Sequence, residues 1–294
     1  MTRTDNIFRP TESIPSEPAI GRVPRKSKKK SQGKAHAGLR PFFGYYGGKW
    51  RDTPRLYPSP EFGRIVEPFA GSAGYALRYP DRRITLCEID PVVAGVWRYL
   101  IRVKPSEILR IPDLETDQTV DDLKICEEAQ WLVGFWLNRG VSRPRKSASD
   151  WMRSEIRPGS FWGARVKSTI ASQVDSIRHW VVRNCSYTDC RDFRREATWF
   201  IDPPYQAAGQ HYKFGSGAVN YEDLAAWCRS RNGQVIVCEN EGASWLPFRE
   251  LSDTKTTRKR RSKEVYWLSN WNRKPKATNV APPSASARRG VEQS

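Results

Sequence analysis

Residues 198–205 read TWFIDPPY. Thr198 to Ile201 are β-branched or aromatic, the composition of a buried strand, and Pro203 removes the backbone donor that further pairing needs. The strand therefore stops at Asp202. Ligands bind beyond the carboxyl ends of the strands of an open parallel sheet, so this stop sets a carboxylate, two carbonyls and an aromatic ring at such a crevice. RIVE (64–67), ITLCE (84–88) and QVIVCE (234–239) share the strand composition. Helix-compatible stretches, PVVAGVWRYLI (91–101) and YEDLAAWCRSR (221–231), follow two of the strands. The alternation predicts an α/β fold with a largely parallel sheet.

The interval 105–185 breaks that rhythm. It carries WLVGFWL (131–137), the basic loop RGVSRPRKSASD (139–150), FWGARV (161–166) and a helix predicted from Lys167 to Val181. It reads as an inserted subdomain between two halves of one domain, 41–104 and 186–272. Residues 1–40 are rich in Pro, Ser and Lys, include PRKSKKK (24–30), and have too few large apolar side chains to bury a core. They read as a disordered basic arm, either a solvated tail or a tether to nucleic-acid phosphates. Residues 273–294 read as a second disordered tail.

With 50 Lys+Arg against 32 Asp+Glu, a net charge of +18, the chain suits a polyanionic partner, and nucleic acid fits better than a membrane surface. There is no uncharged apolar run of about 18 residues and no signal-peptide core, so a soluble, intracellular protein without a membrane partner is expected. The six cysteines (Cys87, Cys126, Cys185, Cys190, Cys228, Cys238) include no CxxC pair and the chain has only three histidines. Reduced, packed thiols and no metal are the expectation.

EPFAGSAG (67–74) follows the first strand. It reads as a turn that opens a helix, with Gly71 and Gly74 letting a ligand approach backbone N–H groups. Glycine turns between strand and helix are common, and alone this one decides nothing. The second strand ends at Glu88, seventeen positions after Gly71, about where a dinucleotide fold places the carboxylate that receives ribose hydroxyls. A P-loop lysine is missing, which disfavours ATP. Upstream, FFGYYGGKW (42–50) combines the aromatic Tyr45, the permissive Gly47 and Gly48, and the ammonium of Lys49, which could hold a ligand carboxylate. An amino-acid-bearing nucleoside would suit both Lys49 and Glu88.

YYGGK, VEPFAGSAG, CEID, CRDF and IDPPY, in this order and with the insertion before the last, resemble the Dam-like alpha group of DNA adenine-N6 methyltransferases. The likeness spans roughly 42–270 and includes KRRSKEVYWLSN (259–270), which resembles that family's closing β-hairpin. It implies a class I S-adenosylmethionine-dependent methyltransferase (Rossmann-like) fold, S-adenosylmethionine as donor, double-stranded DNA as partner and target recognition within 105–185. A monomer in the cytoplasm of a bacterial or phage-infected cell is expected. Carried over, Tyr45, Gly47, Gly48 and Lys49 lie beside the donor, Lys49 facing its methionine part. Pro68, Phe69, Gly71 and Gly74 wrap it. Glu88, where the family usually has aspartate, receives the ribose, and Asp192 and Phe193 approach the adenine of the donor. Asp202, Pro203, Pro204 and Tyr205 are the catalytic motif.

That motif suits a poor nucleophile. The lone pair of an exocyclic purine amine is delocalised into the ring; if Asp202 and the Pro203 carbonyl each accept an N6–H, the amine is oriented and can become pyramidal. The prolines keep the acceptors rigid, Tyr205 offers a stacking face, and the target base must leave the duplex. The reaction asks for no metal. Arg143, Arg145 and Lys146 in the basic loop, and Arg258, Lys259, Arg260 and Arg261 at the hairpin, read either as DNA-phosphate contacts or as solvated basic faces. Trp162, Trp180 and His179 read as packed residues. Competing readings are methyl transfer to cytosine N4, RNA adenine or a protein glutamine, and a catalytically silent nucleic-acid-binding protein of the same fold.

Overall fold

The computed structural model describes residues 38–51, 53–115, 117–138, 140–149, 161–192, 196–207, 209, 213–251 and 263–269. Of the sequence expectations, Phe193, the Arg258–Arg261 cluster, almost all of the arm and the whole tail lie outside these residues, as does the side chain of Asp192.

A seven-stranded sheet organises the chain. In chain order the strands are β1 (Arg64–Glu67), β2 (Arg83–Glu88), β3 (Val181–Asn184), β4 (Ala197–Ile201), β5 (Gly233–Asn240), β6 (Arg249–Glu250) and β7 (Glu264–Leu268), and their spatial order is β3-β2-β1-β4-β5-β7-β6. The first five run parallel, while β7 runs antiparallel to both β5 and β6. β1 lies between β2 and β4, with Ile65 opposite both Ile84 and Thr198, so the strand order reverses at β1. The carboxyl ends of β1 and β4 flank that switch point, where open α/β sheets bind ligands. As Pro203 predicts, β4 ends at Ile201, and Asp202 is the first residue past the ladder.

β4 and β5 are buried along their whole length, as central strands covered on both faces must be. After the short α1 (Thr53–Leu56), the helix on one face is α2 (Pro91–Arg102), where Val93, Val96, Trp97 and Leu100 keep helical spacing and share a core with Ile84 and Leu86. Asp90 starts this helix: its carboxylate accepts from the Val92 amide at 3.0 Å and Pro91 occupies the first helical position. On the other face lies α6 (Tyr221–Arg229), capped by the Asn220 side chain, which packs Leu224, Ala225 and Cys228 with Trp199, Val235 and Val237.

The interval 105–185 contributes α3 (Pro105–Arg110), α4 (Glu127–Trp136) and α5 (Ala164–Ala171). Their buried residues, Ile108, Phe135 and Ile170 among them, belong to the same cluster as Trp97 and Leu86, so the described part of the interval covers a sheet face. Trp162 and Trp180 are in that core, as expected. The interval's last residues enter the sheet as β3, an edge strand of mostly exposed side chains. Two helices differ from expectation. The one predicted over 167–181 stops at Ala171, because Gln173 leaves helical geometry and its buried amide bonds the backbone of Arg40 through both N–H and carbonyl. EPFAGSAG opens no α-helix either. Gly71 and Ala73 hold φ of 45° and 52°, outside the right-handed region, and only a 3-10 turn, Ala76–Arg78, follows before Pro80. No helix among the described residues is long and apolar enough to cross a membrane.

Candidate active site

A cleft opens beyond the carboxyl ends of β1, β2 and β4. Its walls come from three groups of expected residues: Tyr45, Gly47, Gly48 and Lys49; Pro68, Phe69, Gly71 and Gly74; and Glu88, Asp202 and Pro204. Segments up to 159 positions apart in sequence thus meet at the switch point, as the topology requires.

Asp202 is the centre of the polar part. Its side chain is 19% exposed, enough to face the cleft, and Lys49 Nζ lies 3.2 Å from its Oδ1. Burial pushes the Asp202 carboxyl up to about 6, against the pull of the Lys49 ammonium and with the Glu264 charge adding to the rise. Lys49 also donates to the Gly47 carbonyl at 2.9 Å, stands 3.8 Å from Glu264 Oε1, and lies 4.7 Å from the centre of the Tyr205 ring. The lysine expected to meet a ligand carboxylate therefore already holds the carboxylate of Asp202. The Tyr205 hydroxyl donates to Glu264 Oε2 at 2.6 Å, and the Tyr57 hydroxyl to the same oxygen at 3.2 Å. The chain Tyr205–Glu264–Lys49–Asp202 fixes the carboxylate from behind.

The prolines behave differently from one another. The Pro204 carbonyl accepts from the Tyr221 hydroxyl at 2.5 Å, which ties the loop to α6. Pro203 is buried, and its carbonyl accepts no hydrogen bond among the described residues.

Glu88, buried at the end of β2, accepts the Gly71 amide at 2.8 Å on one oxygen and the Asp90 amide at 2.9 Å on the other. The Ile89 amide also favours the ion, and the carboxylate keeps acceptor capacity for a further donor. Burial raises its carboxyl to about 7 even though those amides favour the ion. The two glycines serve packing. A Cβ on Gly71 would sit 3.0 Å from the Tyr45 ring, and one on Gly74 would sit 2.7 Å from the Trp50 amide nitrogen. Their missing side chains let the 67–74 loop close on 45–50. Phe69 stacks on Tyr187 with ring centres 5.3 Å apart, and both line the cleft.

Sequence reading missed several of these groups. Glu264 is 62 positions from Asp202 and lies in a strand whose pairing, not its composition, brings it to the site. Glu67 was visible only as the end of a strand. It is buried, accepts the Ala76 amide at 2.6 Å and lines the cleft; burial pushes its carboxyl up to about 8, with the Asp202 charge adding to the rise. Lys213, 3.3 Å from the buried Asp90, and the neighbouring Phe214 close another wall.

The basic loop also reaches the site. The Tyr46 amide donates to the Val141 carbonyl at 3.2 Å, and Tyr46 lines both the cleft and a shallow depression that includes the exposed Arg143 and Arg145. Lys146, also exposed, pairs at 2.5 Å with the exposed Asp121 and lines neither the cleft nor the depression at Tyr46. His179 is exposed, its ring nitrogen 3.1 Å from the Arg82 carbonyl, and takes no part in the site.

Three of the six cysteines, scattered along the chain, meet in space. The sulfurs of Cys87, Cys185 and Cys190 lie within 4.8 Å of one another. No protein-family model matches this chain, and no curated protein is detectably similar to it.

Proposed function

We propose that the protein is an S-adenosylmethionine-dependent DNA adenine-N6 methyltransferase with a class I methyltransferase fold. The observation that carries the reading is the Asp202 carboxyl just past β4 at the switch point. It is mostly buried, open to the cleft and followed in the chain by Pro203, whose carbonyl accepts no hydrogen bond among the described residues. Two rigid acceptors, one charged, suit an amine with two N–H groups, and the resemblance of IDPPY and its companion motifs supplies the substrate class.

The residues of the cleft fit the donor. Glu88 keeps acceptor capacity for a ribose hydroxyl, and Phe69 and Tyr187 offer aromatic surface for a nucleobase. Lys213, the Lys49 ammonium and the turn at Gly47 and Gly48 surround the space left for an amino-acid moiety. When bound, S-adenosylmethionine supplies a methyl group on a positively charged sulfur.

The chain's own contribution is orientation and electrostatics. Asp202 and the Pro203 carbonyl accept the N6–H groups of the target adenine, which weakens conjugation of the nitrogen lone pair with the ring and leaves it aimed into the cleft. Lys49 keeps Asp202 ionised against its burial, and Glu264, held by two tyrosine hydroxyls, anchors Lys49. Acceptors set this deep cannot reach a stacked base, so the adenine is extruded from the duplex. Arg143 and Arg145, one residue beyond the cleft mouth at Tyr46, are placed to meet the flanking phosphates.

The test is transfer of radiolabelled methyl groups from S-adenosylmethionine to unmethylated duplex DNA, followed by digestion to nucleosides. Label in N6-methyl-2′-deoxyadenosine is the expected result. Label in N4-methyl-2′-deoxycytidine, or in RNA or protein glutamine when these are offered as acceptors in parallel, moves the substrate, and donor binding without transfer to any of them makes the protein a silent binder.

A further inference from the structure

We propose that Cys87, Cys185 and Cys190 form a binding site for a thiophilic metal ion, Zn2+ in the first instance, built into the wall of the cleft. The three sulfurs arrive on separate elements: Cys87 on β2, Cys185 just past the end of β3, and Cys190 in the 3-10 turn Tyr187–Asp192. Buried cysteine is ordinarily a small apolar residue whose sulfur packs on carbon. Here all three sulfurs lie within 4.8 Å of one another. Zn–S bonds of about 2.3 Å set tetrahedral S···S edges of about 3.8 Å, so closing the triad around an ion takes at most about 1 Å of movement per edge. Cys87 and Cys190 are buried, while Cys185 is only half-buried and gives the ion a route from solvent.

Three thiolates and one open position make a coordination set that suits soft or borderline ions and disfavours Mg2+ or Ca2+. On binding, each thiol releases its proton to the buffer as its metal–sulfur bond forms, and a water molecule completes the fourth position. No redox change is involved. The ligands bracket the cleft residues along the chain: Glu88 follows Cys87, and Ser186 and Tyr187 lie between Cys185 and Cys190. An ion at this point ties β2 to the 185–190 segment and fixes the wall that carries Glu88 and Tyr187. The triad is outside the acceptor group at Asp202, so the ion has a structural place and the proposal stands whether or not the chain transfers methyl groups.

The test uses the full chain, purified with a non-thiol reductant and stripped of metal, titrated with Co2+ and read by the sulfur-to-cobalt charge-transfer absorption. We expect saturation at one ion per chain and displacement by one equivalent of Zn2+. Cys185→Ser, at the half-buried ligand, should weaken Co2+ binding by about tenfold or more, since even loss of an outer-shell partner costs that much. Cys126→Ser, at an exposed cysteine outside the triad, should bind as the parent does. Cys87→Ser risks the fold, so the proposal rests on Cys185 and Cys190. It is overturned if the folded chain gives no charge-transfer band, if the band survives both Cys185→Ser and Cys190→Ser, or if a disulfide within the triad is found and its reduction restores no metal uptake.

Discussion

Replacing Lys49 by methionine separates two roles for this residue. The resemblance assigns it to the donor; the geometry gives it to Asp202, 3.2 Å away. Two unit charges at that distance interact by roughly 5 kcal/mol at an effective dielectric constant of about 20. Competing terms reduce this, and a neighbouring cation typically lowers an aspartate by about 1–3 pH units. Asp202 stands at about 6 with Lys49 in place. Removing the cation moves it up, and a mid-range shift of about two units takes it from roughly nine-tenths ionised at pH 7 to roughly one-tenth. If the ionised carboxylate is the acceptor, kcat at pH 7 falls about tenfold and recovers by about pH 9. The assay is methyl transfer at saturating donor and DNA from pH 5 to 10, so that the acid limb reports the bound enzyme, with donor affinity measured separately by calorimetry. The parent limb should inflect near the Asp202 value and the variant limb should lie to its alkaline side. A variant limb at the parental pH, with the rate scaled down uniformly or the donor affinity alone reduced, would refute the claim that Lys49 acts through Asp202.

Asp202→Asn keeps the shape but turns one acceptor oxygen into a donor, and should abolish nearly all transfer while donor binding and the circular dichroism spectrum persist; near-parental turnover would remove Asp202 from the mechanism. Glu67 sets a pH dependence of stability. Its folded-state value of about 8 lies above the usual carboxylate value, so the folded chain holds a proton that the unfolded chain has lost between about pH 4.5 and 8. Stability is therefore greater at the acid end of that window and falls as pH rises through it, by a few kcal/mol at most, and Glu67→Gln should flatten the Tm-against-pH curve between pH 5 and 8.5. Gly74→Ala drives a Cβ to 2.7 Å from the Trp50 nitrogen and should cost about 1–3 kcal/mol in chemical denaturation, whatever its effect on donor binding. Arg143→Ala with Arg145→Ala should lower the salt slope of DNA binding by about one per lost phosphate contact, while a slope unchanged from the parent would leave the two arginines as solvated charge.

What the sequence disclosed follows the range over which each signal acts. Central strands carry β-branched and apolar residues in their middles, such as Ile65 and Val66, Phe200 and Ile201, and Val235 to Val237, so β1, β2, β4 and β5 could be read from composition, and Pro203 marks the end of β4 by removing a donor. Edge strands carry no such signal. β3 offers Val181 and Val182 followed by Arg183 and Asn184, and only its pairing with β2 makes it a strand. The same limit applies to the site. Asp202, Glu88 and Lys49 were legible because each sits in a local motif whose chemistry is unusual for a turn. Their partners were not. Glu264 enters through the reversal of β7 against β5, which sets it opposite Asn240, and no local pattern around 264 encodes that register. The thiol triad is the extreme case. Cysteine spacing reads metal sites only when ligands share a turn, as in CxxC, whereas here a parallel pairing of β2 with β3, Cys87 opposite Arg183, brings residue 87 to residues 185 and 190. Spacing along the chain therefore argued against a metal, while the sheet register brought three thiols together. A carboxylate held by a lysine that answers to a second carboxylate from another strand is likewise a property of topology. In this chain the motifs say which groups could react, and the strand order decides which charges they meet.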